Sequence, residues 1–371
     1  MPSMDFDVLI RGDGAVGRCL ALALAAQGLR VGLRGRQQSR PQDVRAYALN
    51  MASQTLLARL KVWHGLPPDA RTPVVDMRVQ AGDGRLDFSA WNAEAEQLAW
   101  IVDAAELDAQ LDAALRFAPH VQRLADNGDE PPHQLLALCE GREAAGRARL
   151  GIGVLERDYG HHALAARLEA ELPHQGRAWQ WFTADGEILA LLPMDRPTPG
   201  RSYALVWSQP AARAFDREQL AVHAFEAELQ AISAQTLRLE SPRSCFPLRL
   251  LRAERMAGDG VVLLGDCAHL VHPLAGQGLN LGLADVAALA KVLDEREAWR
   301  PLGDARLLRR YERARVADTW LMGEFTDLLW AGLTQSPPWV QRLAGGGLGA
   351  INQLSPLKRW LSQRAMGQVQ L

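Results

Sequence analysis

Cysteine is scarce, with four in 371 residues, at positions 19, 139, 245 and 267. No two form a Cys-x-x-Cys pair and the spacings are wide, which fits neither a zinc site nor a dense disulfide framework. Free buried thiols in a reducing compartment are the expected state. Net charge is nearly absent, with 41 Lys and Arg against 43 Asp and Glu, so no global field draws the chain to nucleic acid. Met1-Pro2-Ser3-Met4-Asp5 has no basic n-region, and no signal peptide is expected. The apolar stretch from Cys19 to Ala26 is too short to span a bilayer. Ser244 lacks a Gly-x-Ser-x-Gly elbow, so hydrolase chemistry has no support. His161, His162 and His174 lack carboxylates or cysteines at metal-ligand spacing. Internal repeats and low-complexity tails are missing as well.

The chain is longer than one hydrophobic core usually serves, so two structural units are expected. Asp7-Val8-Leu9-Ile10 is a short apolar run ending at glycines. An Ala/Leu-rich helix follows from Arg18 to Gln27, and then a strand from Leu29 to Leu33. This β-turn-α-β order opens a doubly wound nucleotide-binding sheet. Helical spacing recurs at 53–60 and 104–115. The middle has a different texture. Residues 77–90, 160–169, 179–182, 188–192 and 203–207 are short apolar or aromatic runs with turn residues between them, which predicts an antiparallel sheet. A helix is expected over 219–231. A buried strand at 261–264 leads into a long helix over 278–293, and 305–367 is mostly helical. Trp179 and Trp181 point to one face of their strand, where they pack in the core or line a pocket.

Gly12-Asp13-Gly14-Ala15-Val16-Gly17 is Gly-x-Gly-x-x-Gly between a strand and a helix. The first glycine allows the turn, the second admits a pyrophosphate to the backbone, and the third lets helix pack on strand. The helix N-terminus then presents free N–H groups and its positive dipole end. An acidic residue should end the second strand to hold a ribose. That strand ends Arg34-Gly35-Arg36 instead. Arg34 and Arg36 either meet a phosphate or are solvated charges, and the loop leaves the dinucleotide open.

Residues 265–282 read Gly-Asp-Cys-Ala-His-Leu-Val-His-Pro-Leu-Ala-Gly-Gln-Gly-Leu-Asn-Leu-Gly between a buried strand and a helix. An aspartate just past a strand end can accept hydrogen bonds from a sugar-alcohol chain, and a glycine-rich turn opening a helix offers backbone N–H groups to negative charge. Here the chain resembles the flavoprotein aromatic hydroxylases, and within them the hydroxylases of ubiquinone biosynthesis, whose pattern is Gly-Asp-x-Ala-His-x-x-x-Pro-x-x-Gly-Gln-Gly-x-Asn. Residues 45–50 with Ser53, Leu56 and Leu57 match the family's first FAD-domain helix region. Residues 179–182 and 189–193 match its substrate-domain sheet. Tyr311, Arg315 and 354–358 match its C-terminal helices.

The resemblance implies an α/β fold like that of para-hydroxybenzoate hydroxylase. A Rossmann-like FAD-binding domain would comprise 1–71, 101–154 and 251–300, an antiparallel-sheet substrate domain 72–100 and 155–250, and a C-terminal helical region 301–371. It implies FAD as cofactor, at Gly12, Gly14, Ala15, Val16 and Gly17 for the pyrophosphate, with Arg36 and Arg45 near the phosphates. Asp266 would bind the ribityl chain, Pro273 would border the isoalloxazine, Gly276 would be a further cofactor-binding position, and Gly278, Leu279 and Asn280 would present backbone to the flavin N1–C2=O edge. NAD(P)H is the implied transient electron donor. The implied reaction is hydroxylation of a polyprenylated phenol by O2 through a flavin C4a-hydroperoxide, and no side-chain acid or base stands out as catalytic. The other readings are an accessory member of a quinone-biosynthesis complex and a non-hydroxylating flavin oxidoreductase. A cytoplasmic location is expected, peripheral to the inner face of the membrane if Lys358-Arg359-Trp360-Leu361 makes a surface contact rather than packing on the core.

Two departures from the family pattern carry further expectations. Gly35 stands in place of the ribose-binding glutamate, so restoring a glutamate there is expected to tighten FAD binding. The middle motif, roughly Asp-Gly-x-x-Ser-x-x-Arg, is represented by Glu140 to Arg147, with Glu for Asp and Ala144 for Ser. His269 and His272 flank the turn and are expected to bond local backbone, with a flavin-proximal role as the other reading for His272, and Asp285 is expected to be a helix-face residue.

Overall fold

The computed structural model describes residues 5–35, 43–82, 84–127, 129–142, 144–270 and 277–316. The strand Phe6–Arg11 lies at the centre of a six-stranded sheet, flanked in parallel by Val31–Arg34 and His133–Leu138. Val121–Leu124 lies outside the former and Val261–Leu263 outside the latter, both parallel, and Ala257–Gly258 closes one edge antiparallel. Val8, Leu9 and Ile10 are fully buried, as expected of a parallel strand covered on both faces. The helix Ala15–Ala26 supplies Leu20 and Leu24 to this core. The helix Gln277–Asp294 packs against it with Leu283, Val286, Leu289 and Leu293. Residues 305–316 are helical, and Tyr311 donates its hydroxyl to the Leu263 carbonyl at 2.8 Å, clamping the strand that precedes the second motif.

The antiparallel sheet is also present, with nine strands. Its spine is Val154–Ala170, paired on one side with Ser244–Ala253 and on the other with Ser202–Pro210. Ile188–Met194, Arg177–Phe182, Asp76–Ala81 and Gly84–Ser89 follow in order. Arg177–Phe182 runs parallel to Asp76–Ala81, while the other neighbours are antiparallel. One face carries Trp181, Leu189, Leu191, Leu205 and Trp207 under the helix Val222–Ser233, which inserts Phe225 and Leu229. The other carries Ala178, Leu192, Met194 and Ala204. It packs in part on a three-stranded sheet of Ala46–Leu49, Ala99–Asp103 and Arg71–Val74, through Ala46, Ala48, Val74 and Ile101.

Three expectations are refined by the structure. The family-matched segment at 45–50 is not helical: Ala46–Leu49 is a strand, and the helix begins only at Met51, where the Asn50 side chain accepts from the Ser53 N–H. The helix expected over 219–231 is Val222–Ser233, and a further helix, Ala211–Gln219, precedes it without having been expected. Trp179 and Trp181 do share a face and stack with centroids 5.4 Å apart, but that face is the one covered by Phe225 and Leu229. They pack the core, and Arg78 and Arg177 lie over the outer ring of Trp179. The expected helices beyond 316, including Leu354 to Lys358, lie outside the described residues.

Candidate active site

The glycines of the first loop divide into two kinds. A Cβ at Gly12 would sit 2.0 Å from the Cys139 carbonyl oxygen, and one at Gly17 would sit 1.9 Å from the Gly12 oxygen. Gly12 also holds φ at +119°, a left-handed conformation that disfavours any side chain. Those two are needed by the protein itself. Gly14 has nothing within 4 Å of where its Cβ would be, so the space beside it is open. It caps the helix Ala15–Ala26 in extended conformation, with no side chain satisfying the first-turn N–H groups. Free N–H donors beside an open glycine make a cradle for a phosphate.

The second loop lies against the first. A Cβ on Gly265 would be 3.2 Å from Val16 Cγ2, and one on Gly282 would be 2.6 Å from the same atom. Val16 therefore holds together two motifs about 250 residues apart in sequence. Asp266, in the 3-10 turn Gly265–Cys267, opens toward solvent but is ringed by protein. That crowding pushes its carboxyl above the usual range, against the opposing charges of His269, Arg142 and Arg45. Arg147, at the end of the middle motif, donates to the Cys267 carbonyl at 2.8 Å and so buttresses the same turn.

Gly278, Leu279 and Asn280 lie in the first turn of the helix Gln277–Asp294, where backbone N–H groups have no intrahelical partner. The Asn280 side chain is spent on structure. It donates to the Ala48 carbonyl at 2.7 Å and accepts from the Asn50 N–H at 3.0 Å and the Ser53 hydroxyl at 2.7 Å. Arg45 is held by Asp43, and its guanidinium lies 5.7 Å from the Phe246 ring, on the side of the antiparallel sheet. Arg36, His272, Pro273 and Gly276 lie outside the described residues. Arg34 is not a solvated charge: it is buried and donates to the Asp129 carbonyl.

Asp285 is more than a helix-face residue. It is fully buried and gathers three donors: the Gly265 N–H at 2.8 Å, His269 Nε2 at 2.7 Å and Arg315 Nε at 2.7 Å. Burial acts to raise its carboxyl, but His269, Arg315 and the Gly265 N–H together hold it below its ordinary value. The expected local backbone partner of His269 is therefore replaced by a long-range hydrogen bond to Asp285. An acid on the polar side of a helix pattern reads as solvated, and only the third dimension supplies its partners.

The departure at Gly35 has a steric cause. A Cβ there would lie 2.5 Å from the Asp13 backbone nitrogen and 2.9 Å from its Cβ. A glutamate at 35 cannot be added without displacing the phosphate loop, so the expected tighter binding is overturned. Asp13 itself is buried and paired with Arg18 at 2.7 Å, and Arg18 also reaches Asp108 at 2.9 Å.

The two changes in the middle motif compensate each other. Ala144 caps the short helix Ala145–Arg149 without a side-chain bond. The Glu140 carboxylate instead reaches across and accepts the Gly146 N–H at 2.7 Å, the bond that an N-cap serine would make, while its other oxygen pairs with Arg11 at 2.8 Å. Glu140→Asp is expected to lose this cap and about 1 kcal/mol of stability, with Ala144→Ser restoring it in that background. Denaturant unfolding of the two variants checks this, and an unchanged midpoint in Glu140→Asp would show that the cap is idle.

A family model described as FAD binding domain matches residues 118–326. The chain is 32% identical to the ubiquinone hydroxylase UbiL of Rhodospirillum rubrum, over 98% of this chain and 90% of that protein. It is 29% identical to the 3-demethoxyubiquinol 3-hydroxylase of Escherichia coli, over 99% and 100%. Among solved structures, the p-nitrophenol 4-monooxygenase PnpA of Pseudomonas putida aligns at a TM-score of 0.76 and 15% identity, over 100% of both chains. PqsL of Pseudomonas aeruginosa, a probable FAD-dependent monooxygenase, aligns at 0.72 and 22%, over 92% and 98%. With both cofactor motifs in contact and the sequence likeness running over nearly the whole chain, the chain belongs to the FAD-dependent aromatic-hydroxylase family of flavoprotein monooxygenases.

Proposed function

We propose that this protein hydroxylates the aromatic ring of a polyprenylated phenol in ubiquinone biosynthesis, using FAD, NAD(P)H and O2. The full-length likeness to ubiquinone hydroxylases supports the pathway. One structural observation carries the substrate class: the sheet face turned toward the cofactor motifs is apolar. Phe182, Ala190, Leu192, Val206 and Phe246 are only half-buried on that face. Its orientation follows from Arg167, which donates to the Arg45 carbonyl and to Asp103, and from Phe246 beside Arg45.

Bound FAD would supply the chemistry, accepting a hydride equivalent from NAD(P)H and passing one atom of O2 to the ring while the other leaves as water. The chain's own contribution is binding and exclusion of water. The N-terminus of Ala15–Ala26 and Gly14 would hold the pyrophosphate, and Asp266 the ribityl hydroxyls. The first turn of Gln277–Asp294 would face the negative edge of the reduced ring. The FAD-binding unit would be 1–71, 101–154 and 251–300, with 72–100 and 155–250 as the substrate unit. With Glu140 serving as cap, the middle motif gives no reason to favour a non-catalytic relative. Among the described residues no helix is long and apolar enough to cross a membrane. A surface contact through 358–361, outside the described residues, belongs to this proposal.

An isoprenoid tail adds binding through buried apolar area, at about 25 cal/mol per Å² before the costs of association. The apparent KM is therefore expected to fall with each isoprene unit added to the phenol, measured by NAD(P)H oxidation with product quantified. Full coupled turnover of 4-hydroxybenzoate, with no gain from tails, would overturn the substrate assignment.

A further inference from the structure

Gln180 is unusual on this apolar face. Its residue is 5% exposed, and among the described residues its amide has no hydrogen-bond partner. It pairs across the sheet with Val79 on one side and Ala190 on the other, and Val206 lies one strand further. Along its own strand, Ala178 and Phe182 share its face. All five neighbours are apolar. The side chain is packed among these apolar groups, yet its amide is not sealed off and makes no protein hydrogen bond among the described residues, so a bound molecule can reach it from the open side of the face. Arg167, on the same face, is already committed to Arg45 and Asp103. Ser208, also on this face and buried, lies one residue row further from Arg167.

We infer that Gln180 anchors the substrate's aromatic head, its amide bonding an oxygen substituent of the ring while the apolar floor takes the ring and tail. The chemistry fits a phenol on either side of the amide. The side-chain oxygen can accept from a ring hydroxyl, and the NH2 can donate to a hydroxyl or methoxy oxygen. One directional bond on a mostly apolar floor would fix which ring carbon faces the flavin, a constraint that apolar contact alone does not impose. Gln180 would thus be a specificity-determining residue. This inference rests on the proposed phenol hydroxylase reading.

The test uses FAD-loaded protein, with 2-geranylphenol and its deoxy counterpart geranylbenzene as probes, titrated by the change in flavin absorbance. Gln180→Met keeps the length of the side chain and removes the amide. The variant is expected to bind 2-geranylphenol about tenfold more weakly, the worth of one net hydrogen bond. Geranylbenzene should bind equally to both proteins, and FAD affinity should not change. Product formed per NAD(P)H oxidised is expected to fall in the variant, because the ring is no longer held. Equal binding of 2-geranylphenol by both proteins overturns the inference, and so does equal loss of both probes, which would mark a role in shape alone. Should the variant not fold, the wild type still decides: it must prefer the phenol over geranylbenzene by about tenfold, and equal affinities overturn the inference. A wild type that binds FAD but neither probe overturns the proposed substrate class as well, so the two failures are distinguishable.

Discussion

Asp285→Ala is expected to cost about 3–5 kcal/mol of folding stability, the usual result of removing one partner from a buried ion pair. The substitution strands three groups at once. Arg315 and His269 are almost fully buried: Arg315 loses its counter-charge, and His269 and the Gly265 N–H lose their acceptor. The consequence reaches the cofactor site, because Gly265 precedes Asp266 and Arg315 belongs to the helix that also clamps Leu263 through Tyr311. FAD affinity should fall with stability. Asp285→Asn, which keeps the shape, should lose less. Denaturant unfolding of the three proteins is the measurement. A loss below about 1 kcal/mol, the value of an exposed pair, would show that the network is not a structural keystone. The acid dependence has a definite sign. The Asp285 carboxyl is depressed in the folded chain, so its contribution is present above the unfolded pKa and is lost as pH falls through the folded one.

Asp266→Ala should weaken FAD binding by about 1.5–3 kcal/mol, or roughly tenfold to a hundredfold in Kd, through loss of a charged acceptor for the ribityl hydroxyls. Its pH behaviour is opposite in origin to that of Asp285. Crowding raises the Asp266 carboxyl in the free protein, so the charged form is the costly one, and acidification through that raised value relieves the fold. Hydroxyl donors favour the carboxylate, so FAD binding would lower its pKa. Affinity is therefore expected to decline as pH falls from the raised free value toward the lower bound one. Fluorescence titration of apoprotein with FAD across pH checks both statements. Asp266→Asn should bind FAD with little pH dependence in that window. A wild-type affinity flat across it, or an alanine variant of undiminished affinity, would remove Asp266 from the ribityl site.

The features legible in the sequence are those whose physics is local. Gly12, Gly14 and Gly17 are readable because turn, phosphate approach and helix packing each demand a missing side chain within six residues of chain. The strands at 160–169, 179–182 and 188–192 are readable as short apolar or aromatic runs set between turn residues. The strand His133–Leu138 was not, because a Leu/Ala run suits a buried helix equally well and only its parallel partners, Phe6–Arg11 and Val261–Leu263, decide. Long-range partnerships were hidden altogether. Asn280 reads only as a helix-start residue offering its backbone, and the bonds that tie its side chain to Ala48, Asn50 and Ser53 leave no trace in the sequence. Gly35 reads as a lost carboxylate until Asp13 proves to occupy the space. Glu140 and Ala144 read as two losses until the longer acid is seen to replace the missing hydroxyl. Gln180 carries no sequence signal of its own, and its meaning depends on which face of the strand looks toward the cofactor.

The most direct test of the account is oxygen transfer itself. The purified protein, loaded with FAD, would be given NAD(P)H, a prenylated phenol and isotopically labelled dioxygen, and the product analysed by mass spectrometry. One labelled oxygen in a new ring hydroxyl is expected for each NAD(P)H consumed. Oxidation of NAD(P)H that yields only hydrogen peroxide, or a product whose new oxygen comes from water, would contradict it.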